Sequence, residues 1–182
     1  MIKFRLLRVI GVVGLWLSFI VANAQSYHKL TVDDFQGPPN YSDGSIAFTN
    51  CSIEFSYTAH KEKNYYLLHF TILVKVDNDK SWLDRNKTCS GSVLAEILKH
   101  EQGHYNFAYL EQQELLRAVS RTVFYDDYQR VANDIFNRID AKYQNLNRNY
   151  DEDTQHSTNR VQQHSWDMYF TRALGFEYLA DN

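Results

Sequence analysis

The apolar residues of this chain change their spacing once, and that change limits the possible folds more than any other feature of the sequence. In YYLLHFTILVKV, residues 65–76, every second residue from Leu68 onward is apolar, which is the repeat of a half-buried strand. The stretch SIAFTNCSIEFSYTAH, residues 45–60, is also rich in β-branched and aromatic residues. The polar KEKN between them indicates a turn, so the sequence predicts an antiparallel hairpin within a strand-like region over residues 26–76. A polar connector, DNDKSWLDRNKTCSGS, follows.

From Ser92 onward the apolar residues recur at helical spacing, and the rest of the chain predicts three helices. The first begins near Ser92, with Ser90 or Ser92 itself as its N-cap. The second covers roughly residues 127–147, and the segment NRNYDEDTQHS then breaks the pattern. The third carries the apolar residues of the range 161–174. Strands followed by helices predict an α+β fold.

The first 24 residues predict a signal peptide. Three basic residues precede an apolar run over residues 9–22, and Ala22-Asn23-Ala24 matches the small-x-small pattern of a signal peptidase site. The run is shorter than the roughly 20 residues that a membrane span needs, although an uncleaved anchor is the alternative. We therefore expect an exported protein, secreted or periplasmic, without stable membrane insertion after signal removal. Residues 25–182 would form a single domain.

The balance of charge disfavours a nucleic-acid partner. Removal of residues 1–24 would take away three of the 19 basic residues and none of the 22 acidic ones, which leaves a net charge of −6. No cluster of basic residues offsets this charge, so we expect no binding to nucleic acid.

Two cysteines, Cys51 and Cys89, are expected to form a disulfide in an oxidising compartment. A pair of free thiols is the alternative. Zinc binding by these cysteines is disfavoured, because the 37 residues between them form no C-x-x-C unit.

A short motif, His-Glu-x-x-His, predicts the chemistry of the chain. In a helix, His100 and His104 lie on the same face one turn apart, so both imidazoles can bind one metal ion. Glu101 is rotated by about 100° from His100, beside such an ion, where its carboxylate can accept a proton from water. Zinc would lower the pKa of that water and polarise a substrate carbonyl. Gly103 costs the helix about 1 kcal/mol relative to alanine, and close approach of substrate or of a neighbouring strand would explain it.

A catalytic zinc site needs a third protein ligand, and the sequence leaves its identity open. Phe107 and Leu110 stand where a metzincin would have glycine and histidine. Glu111 shares the face of the motif but lies about 10 Å further along the helix, and the next helix holds no glutamate of a thermolysin-like site. The segment over residues 150–166 offers the remaining candidates, which are His156, His164, Asp151, Glu152 and Asp153.

Four stretches of the chain resemble the DUF922 family, for which a secreted zinc-dependent protease activity has been inferred. They are LTVDDFQGPPN near the start, SW before the motif helix, LKHEQGHYNFAYLE on that helix and YDEDTQHSTNRVQQHSW near the end. The family often has glycine where this chain has Ser157. The resemblance implies a zincin-like arrangement with the motif on the first long helix. It also implies a zinc site formed by His100, His104 and His156, with Glu101 as the base.

We therefore expect an exported zinc metallopeptidase that acts on a peptide or protein substrate. Zinc-activated water would attack the peptide carbonyl with Glu101 as the general base, and a nearby donor would stabilise the oxyanion. Tyr150 and His164 are candidates for that donor, although Tyr150 could equally be a core aromatic among 13 tyrosines. The alternative is a non-catalytic, zinc-containing envelope or binding protein that retains the metal helix, which a fourth protein ligand would favour.

Overall fold

The computed structural model describes residues 25–40, 45–88 and 90–175, so the predicted signal peptide and Cys89 lie outside it. Its elements in chain order are a 3-10 turn Val32–Asp34, strands β1 (Ala47–Phe48), β2 (Cys51–Lys61), β3 (Tyr66–Val76) and β4 (Trp82–Leu83), and helices α1 (Gly91–Ser120), α2 (Tyr128–Thr154) and α3 (Arg160–Leu174). The strands precede the helices, which confirms the predicted α+β fold. None of these three helices is long and apolar enough to cross a membrane.

β2 and β3 form the predicted antiparallel hairpin. Their register runs from Cys51 opposite Val76 to Lys61 opposite Tyr66 without interruption. The alternating apolar residues of β3 point towards the interior, where the buried ones are Leu68, Ile72 and Val74. The period-2 pattern in the sequence is therefore the pattern of burial along this strand.

The edge of β3 that does not pair with β2 forms hydrogen bonds with other parts of the chain. The side-chain amide of Gln25 donates to the carbonyl oxygen of Val74 (3.0 Å) and accepts from its N–H (2.9 Å). The side-chain amide of Gln112, in α1, donates to the carbonyl oxygen of Ile72 (2.8 Å). The N–H of the first residue of β3 donates to the carbonyl oxygen of Phe124 (2.7 Å). These bonds fix the hairpin to the amino-terminal segment, to α1 and to the loop after α1.

β1 and β4 form a second antiparallel pair, in which Ala47 lies opposite Leu83 and Phe48 lies opposite Trp82. β4 lies inside the predicted polar connector, and the described residues before β1 contain only the 3-10 turn. The predictions of a connector without a strand and of a strand-like region that begins at residue 26 are therefore both wrong. Strands of two residues are too short to produce a period-2 pattern, so periodicity does not reveal them. Their pairing holds β1 beside α1.

α1 lies between two apolar clusters. The side chain of Ser90 accepts a hydrogen bond from the N–H of Val93 (3.3 Å) and caps the helix, as predicted. One cluster joins the Phe107 side of α1 to the hairpin, α2 and α3. The other joins the Tyr105 side to the amino-terminal segment, β1 and β4. The middle of α1 is consequently buried on almost all sides: His100 and Glu101 of the His-Glu-x-x-His motif are buried, and His104 is half-buried.

α2 is longer than the sequence predicts, because it continues through Thr154. Its inward side continues at intervals of three or four residues through Ile135, Ile139, Tyr143, Leu146, Tyr150 and Thr154. The predicted break in NRNYDEDTQHS is therefore wrong up to Thr154, since most polar residues of that segment occupy the outer side of the helix. The actual break covers residues 155–159, and α3 follows as predicted.

Cys51, at the start of β2, has a free thiol. Burial raises the pKa of this thiol to about 12, and the negative charges of Glu101 and Asp34 act in the same direction. The predicted disulfide with Cys89 is not observed in the described part of the chain, because Cys89 lies outside it.

Candidate metal centre

The motif places three side chains with metal-binding atoms at one point of α1. The imidazole rings of His100 and His104 have their centroids 5.0 Å apart. One ligand atom each from His100, Glu101 and His104 can be chosen so that all lie within 4.8 Å of one another. The three side chains are therefore near enough to act on a single ion or water molecule, as their spacing predicts.

Asp151 extends from α2 into the middle of this group. Its Oδ1 lies 3.3 Å from Nε2 of His100 and 3.2 Å from Nε2 of His104. The same oxygen lies 3.6 Å from Nδ1 of His156, in the loop after α2. This Oδ1 is buried and accepts no hydrogen bond of ordinary geometry. Three imidazole nitrogens thus surround one carboxylate oxygen without being oriented to hydrogen-bond with it.

These distances fit a set of ligands around one metal ion. Nitrogen and oxygen ligands bound to a tetrahedral zinc at about 2.0–2.2 Å are separated from each other by about 3.4 Å. The separations from Asp151 Oδ1, 3.2–3.6 Å, agree with that spacing. Imidazole nitrogens and a carboxylate oxygen are also ligands that zinc uses in catalytic sites. The residues present therefore fit a zinc ion.

Electrostatics couples Asp151 to the histidines. Burial acts to raise the pKa of Asp151, but the imidazoles of His100 and His104 outweigh it and hold this pKa well below its ordinary range. Burial acts to lower the pKa of His104, but Asp151 and Glu101 outweigh it and raise this pKa to about 9. The site therefore favours positive charge between its two carboxylates.

His100 is held by residues of α2 and α3. Its Nδ1 lies 3.2 Å from Oε1 of Gln163 and 3.4 Å from Oγ1 of Thr154. The amide oxygen can only accept, so Nδ1 carries a proton, and Nε2 faces Asp151. The ring also stacks on that of Tyr150, with centroids 4.7 Å apart and planes 13° from parallel.

His104 has a matching partner on α2. Its Nδ1 lies 2.7 Å from Oδ1 of Asn147, one helical turn before Asp151. The amide oxygen again requires a proton on Nδ1, and Nε2 points to the centre of the site. Both histidines are therefore oriented by amide side chains that the sequence analysis does not identify.

Glu101 is buried and is oriented from the other side of α1. The hydroxyl of Thr49, directly after β1, donates to its Oε2 (2.6 Å). A cavity of about 170 Å³ opens here, and its lining includes Glu101, the two motif histidines, Asp151 and residues 45–49. β1 and the residues on either side of it thus form one wall of the cavity, and Thr49 orients the predicted base.

Tyr150 is completely buried and does not line this cavity. Its hydroxyl donates to the carbonyl oxygen of His100 (3.0 Å) and accepts from Nε2 of Gln163 (2.9 Å). A Cβ atom on Gly103 would lie 2.4 Å from this hydroxyl, so close approach of α2 accounts for the glycine. The structure therefore gives Tyr150 a positioning role beneath His100 and does not bring it to the cavity as an oxyanion donor.

The remaining predicted residues lie at the edge of the site or beyond it. His156 is at the rim, with 62% of its side chain exposed, and its Nδ1 faces Asp151. His164 is exposed on α3 and lines a separate pocket with Glu96 and Lys99, so the structure does not bring it to the cavity. Glu152 and Asp153 are exposed on α2 and do not line the cavity.

The loop that carries His156 has an unusual backbone. Gln155, His156 and Ser157 have φ angles of 48°, 50° and 77°, which lie in the left-handed region. Residues without glycine's freedom are held there at a cost of about 1–2 kcal/mol each, and such strain is concentrated at functional sites. Ser157 has the largest of the three φ angles, which a glycine would adopt without a steric cost.

A model of the family described as bacterial protein of unknown function (DUF922) matches residues 31–157. The matched range includes every residue that lines the cavity, from Ser45 to Ser157. No curated protein and no solved structure matches the chain.

Proposed function

Since this chain belongs to the DUF922 family, whose description assigns no function, we propose its function from the site itself: it is a zinc-dependent peptidase. One observation carries the proposal. Three imidazole nitrogens lie 3.2–3.6 Å from a buried carboxylate oxygen, directly beside a buried glutamate that is oriented by a hydroxyl group. A group of metal ligands together with a general base held in place is typical of the active site of a metal-dependent hydrolase.

His100 and His104 would hold the ion through their Nε2 atoms, and Asp151 is the third ligand we favour. Its Oδ1 is within 3.3 Å of both Nε2 atoms and is buried, whereas His156 is largely exposed. The family resemblance implies His156 instead. The variants Asp151→Asn and His156→Ala separate the two assignments, because the loss of a true ligand should lower zinc affinity more than the loss of a neighbour.

Zinc in this position supplies Lewis-acid chemistry, because it acidifies water near neutral pH and polarises a peptide carbonyl. The chain's own part is carried by Glu101, whose carboxylate accepts a proton from water and then delivers it to the departing amine. The Thr49 hydroxyl holds Oε2 of Glu101 during both transfers. Water adds to the carbonyl carbon, the carbon–nitrogen bond breaks, and a carboxylic acid and an amine are released.

The variant Glu101→Gln tests this proposal most directly. It keeps the size of the side chain and the bond with Thr49 but removes the proton acceptor. We expect about one zinc per chain to remain while hydrolysis of a peptide library falls by at least about 100-fold. Glu96→Gln, at a surface ion pair with Arg160, is the matched control and should leave both readouts unchanged. Full hydrolysis by the Glu101→Gln protein would rule out the mechanism.

A second function has one observation in its favour. His156 also reaches Asp151, so four protein ligands could close the site around a structural zinc in a non-catalytic envelope or binding protein. Under that reading, His156→Ala should reduce zinc retention as strongly as His104→Ala, and the wild-type protein should cleave no peptide. The fixed Glu101 argues against it, because a structural zinc needs no base.

We further propose export through residues 1–24, which lie outside the described residues. The intact mass of exported protein should correspond to a chain that begins at Gln25. Exported material that retains Met1 would contradict cleavage and favour the uncleaved anchor.

A further inference from the structure

A second pocket lies beside the metal centre along α1. It shares Thr49, His104 and Asn147 with the first cavity and has a volume of about 100 Å³. Its walls include the apolar side chains of Phe107, Ala108 and Tyr143, and Glu111 contributes the carboxylate of its lining. A group bound at the metal centre could therefore extend directly into this pocket.

Glu111 is an unusual lining residue. Only 6% of the residue is exposed, and its Oε1 is buried with no hydrogen-bond partner. Among the described residues, no cationic side chain forms an ion pair with it, whereas its neighbour Glu114 is bonded to Lys142 (2.5 Å) and to the hydroxyl of Tyr143 (3.0 Å). A buried carboxylate without a partner is costly to the fold, so its presence calls for an explanation.

The electrostatic environment of Glu111 favours the binding of a cation in this pocket. Burial raises the pKa of its carboxyl group to about 7, and the negative charges of Asp140 and Glu114 add to the effect. A positive charge in the pocket would oppose all of these effects. The mechanism proposed above makes no use of this carboxylate.

The shape of the pocket identifies the kind of cation. Glu111 is seven residues after His104, so it lies on the same face of α1 about 10 Å further along the axis. One peptide residue spans up to about 3.5 Å, and a long side chain covers the remainder. Lysine and arginine have apolar stems that suit the walls and charged ends that suit the carboxylate. Among the described residues, no group of three histidine, cysteine or acidic ligands includes Glu111, which disfavours a metal ion.

We propose that Glu111 is a specificity-determining residue that binds the lysine or arginine side chain of a peptide substrate next to the scissile bond. This inference rests on the proposed peptidase function, of which it names the substrate class. It predicts a preference that Glu111 creates and that the metal centre alone would not produce.

The first test compares terminally blocked peptides that differ only in lysine or norleucine at each position around the cleaved bond. At one position the wild-type protein should prefer lysine by about 10- to 100-fold in kcat/KM, the range of a hydrogen bond to a charged group. Glu111→Gln should abolish the preference, while Glu96→Gln, which removes one negative charge elsewhere on α1, should retain it. Equal cleavage of both peptides by the wild-type protein, or an unchanged preference in Glu111→Gln, would overturn the inference.

A binding experiment separates this inference from the proposed function. The same lysine and norleucine peptides are titrated into zinc-loaded Glu101→Gln protein and into the double variant that also carries Glu111→Gln. Tighter binding of the lysine peptide to the first protein alone supports the inference even if the wild-type protein hydrolyses no peptide. Cleavage by the wild-type protein with no lysine preference in cleavage or binding overturns the inference and leaves the peptidase function intact. If Glu111→Gln fails to fold, the wild-type comparison of the two peptides still decides.

Discussion

Asp151 and Glu111 are two carboxylates on adjoining pockets of α1, and each has one buried oxygen that accepts no hydrogen bond. Burial acts to raise the pKa of both groups. For Asp151 the imidazoles of His100 and His104 reverse the effect, and the pKa falls well below its ordinary range. For Glu111 no such cation lies among the residues that the structure describes, and the pKa rises to about 7. Burial alone therefore does not decide the charge of a carboxylate here; the neighbours do.

The comparison also indicates what each pocket would accept. Around Asp151 the chain supplies its own nitrogen atoms at the spacing of metal ligands, so the partner that we propose is a metal ion. Around Glu111 the chain supplies apolar walls and one acid, so the complementary partner is an organic cation. The difference between the two pockets can be tested by substitutions that remove the neighbours of Asp151, that displace Asp151 alone, or that remove the charge of Glu111.

The largest effect should come from removing the imidazoles that face Asp151. His100→Ala or His104→Ala would leave Asp151 with fewer imidazole neighbours and would remove a proposed zinc ligand. We expect zinc affinity to fall by more than about 100-fold, beyond the effect of losing an outer partner, and hydrolysis to fall to background. Zinc content by elemental analysis and a peptide digest measure the two outcomes. His60→Ala, an exposed histidine on β2, is the control and should change neither.

A smaller effect should follow from removing the amide that orients His104. Asn147→Ala leaves all candidate ligands in place but removes the hydrogen-bond partner of His104 Nδ1, so the imidazole ring can rotate. The loss of such an outer partner typically lowers metal affinity or activity by about 10- to 100-fold. Asn145→Ala, on the exposed side of the same helix, provides the matched control. Unchanged zinc affinity in the Asn147 variant would show that His104 is oriented without its help.

Displacement of α2 should affect Asp151 while leaving Glu111 in place. In Gly103→Ala the new Cβ would lie 2.4 Å from the hydroxyl of Tyr150, whose neighbour in sequence is Asp151. Overpacking of this kind costs up to about 3 kcal/mol, and we expect weaker zinc binding together with the loss of stability. Gly91→Ala has open space at its Cβ and should be neutral or slightly stabilising. Chemical denaturation and zinc titration would detect the difference between the two alanine variants.

Removing the charge of Glu111 should stabilise the protein in a pH-dependent manner. The folded-state pKa of about 7 exceeds the ordinary value of 4.5, so the folded protein binds the extra proton between these values. Wild-type stability is therefore lost as pH rises from about 4.5 through about 7, and Glu111→Gln avoids this loss. We expect a gain of about 1–2 kcal/mol above pH 7, less than the roughly 3 kcal/mol of the full pKa difference because the pocket opens to solvent.

The check is the free energy of unfolding measured in denaturant at several pH values. The advantage of Glu111→Gln should vanish below about pH 4.5. An advantage of the same size at every pH would mean that packing and not charge is responsible. Glu96→Gln, at the surface, should show little dependence on pH in this range.

The smallest effect should come from the loop that carries His156. Ser157→Gly relieves a φ angle of 77°, but the unfolded chain gains freedom, so the net stabilisation should be below about 1 kcal/mol. A thermal melt would detect it. A destabilised Ser157→Gly protein would mean that the serine side chain makes a contact that outweighs the backbone strain.

The sequence predicts the parts of this fold that rest on long repeats. The hairpin follows from the alternation in β3, and α1 and α3 follow from helical spacing and from the Ser90 cap. β1 and β4 escape detection because two residues carry no period. The end of α2 escapes because its exposed polar residues mask a buried stripe that continues to Thr154.

The residues of the candidate site also fall into those that the sequence predicts and those that it does not. His100, Glu101 and His104 are predictable because their spacing within one helix fixes their geometry. The central position of Asp151 and the partners of the two histidines depend on how α1 packs against α2 and α3, which no local pattern encodes. Tyr150 shows the limit most clearly: its residue type suggests a donor, but its packing beneath Gly103 makes it a support.

The hydrogen bonds of the glutamine side chains along β3 affect the tendency of this protein to aggregate. A strand at the margin of a sheet exposes main-chain groups that can recruit a strand from another molecule and start aggregation. Gln25 and Gln112 bond the main-chain groups of Val74 and Ile72 that a foreign strand would need. That part of the hairpin is therefore closed to strand addition by two glutamine side chains rather than by a third strand.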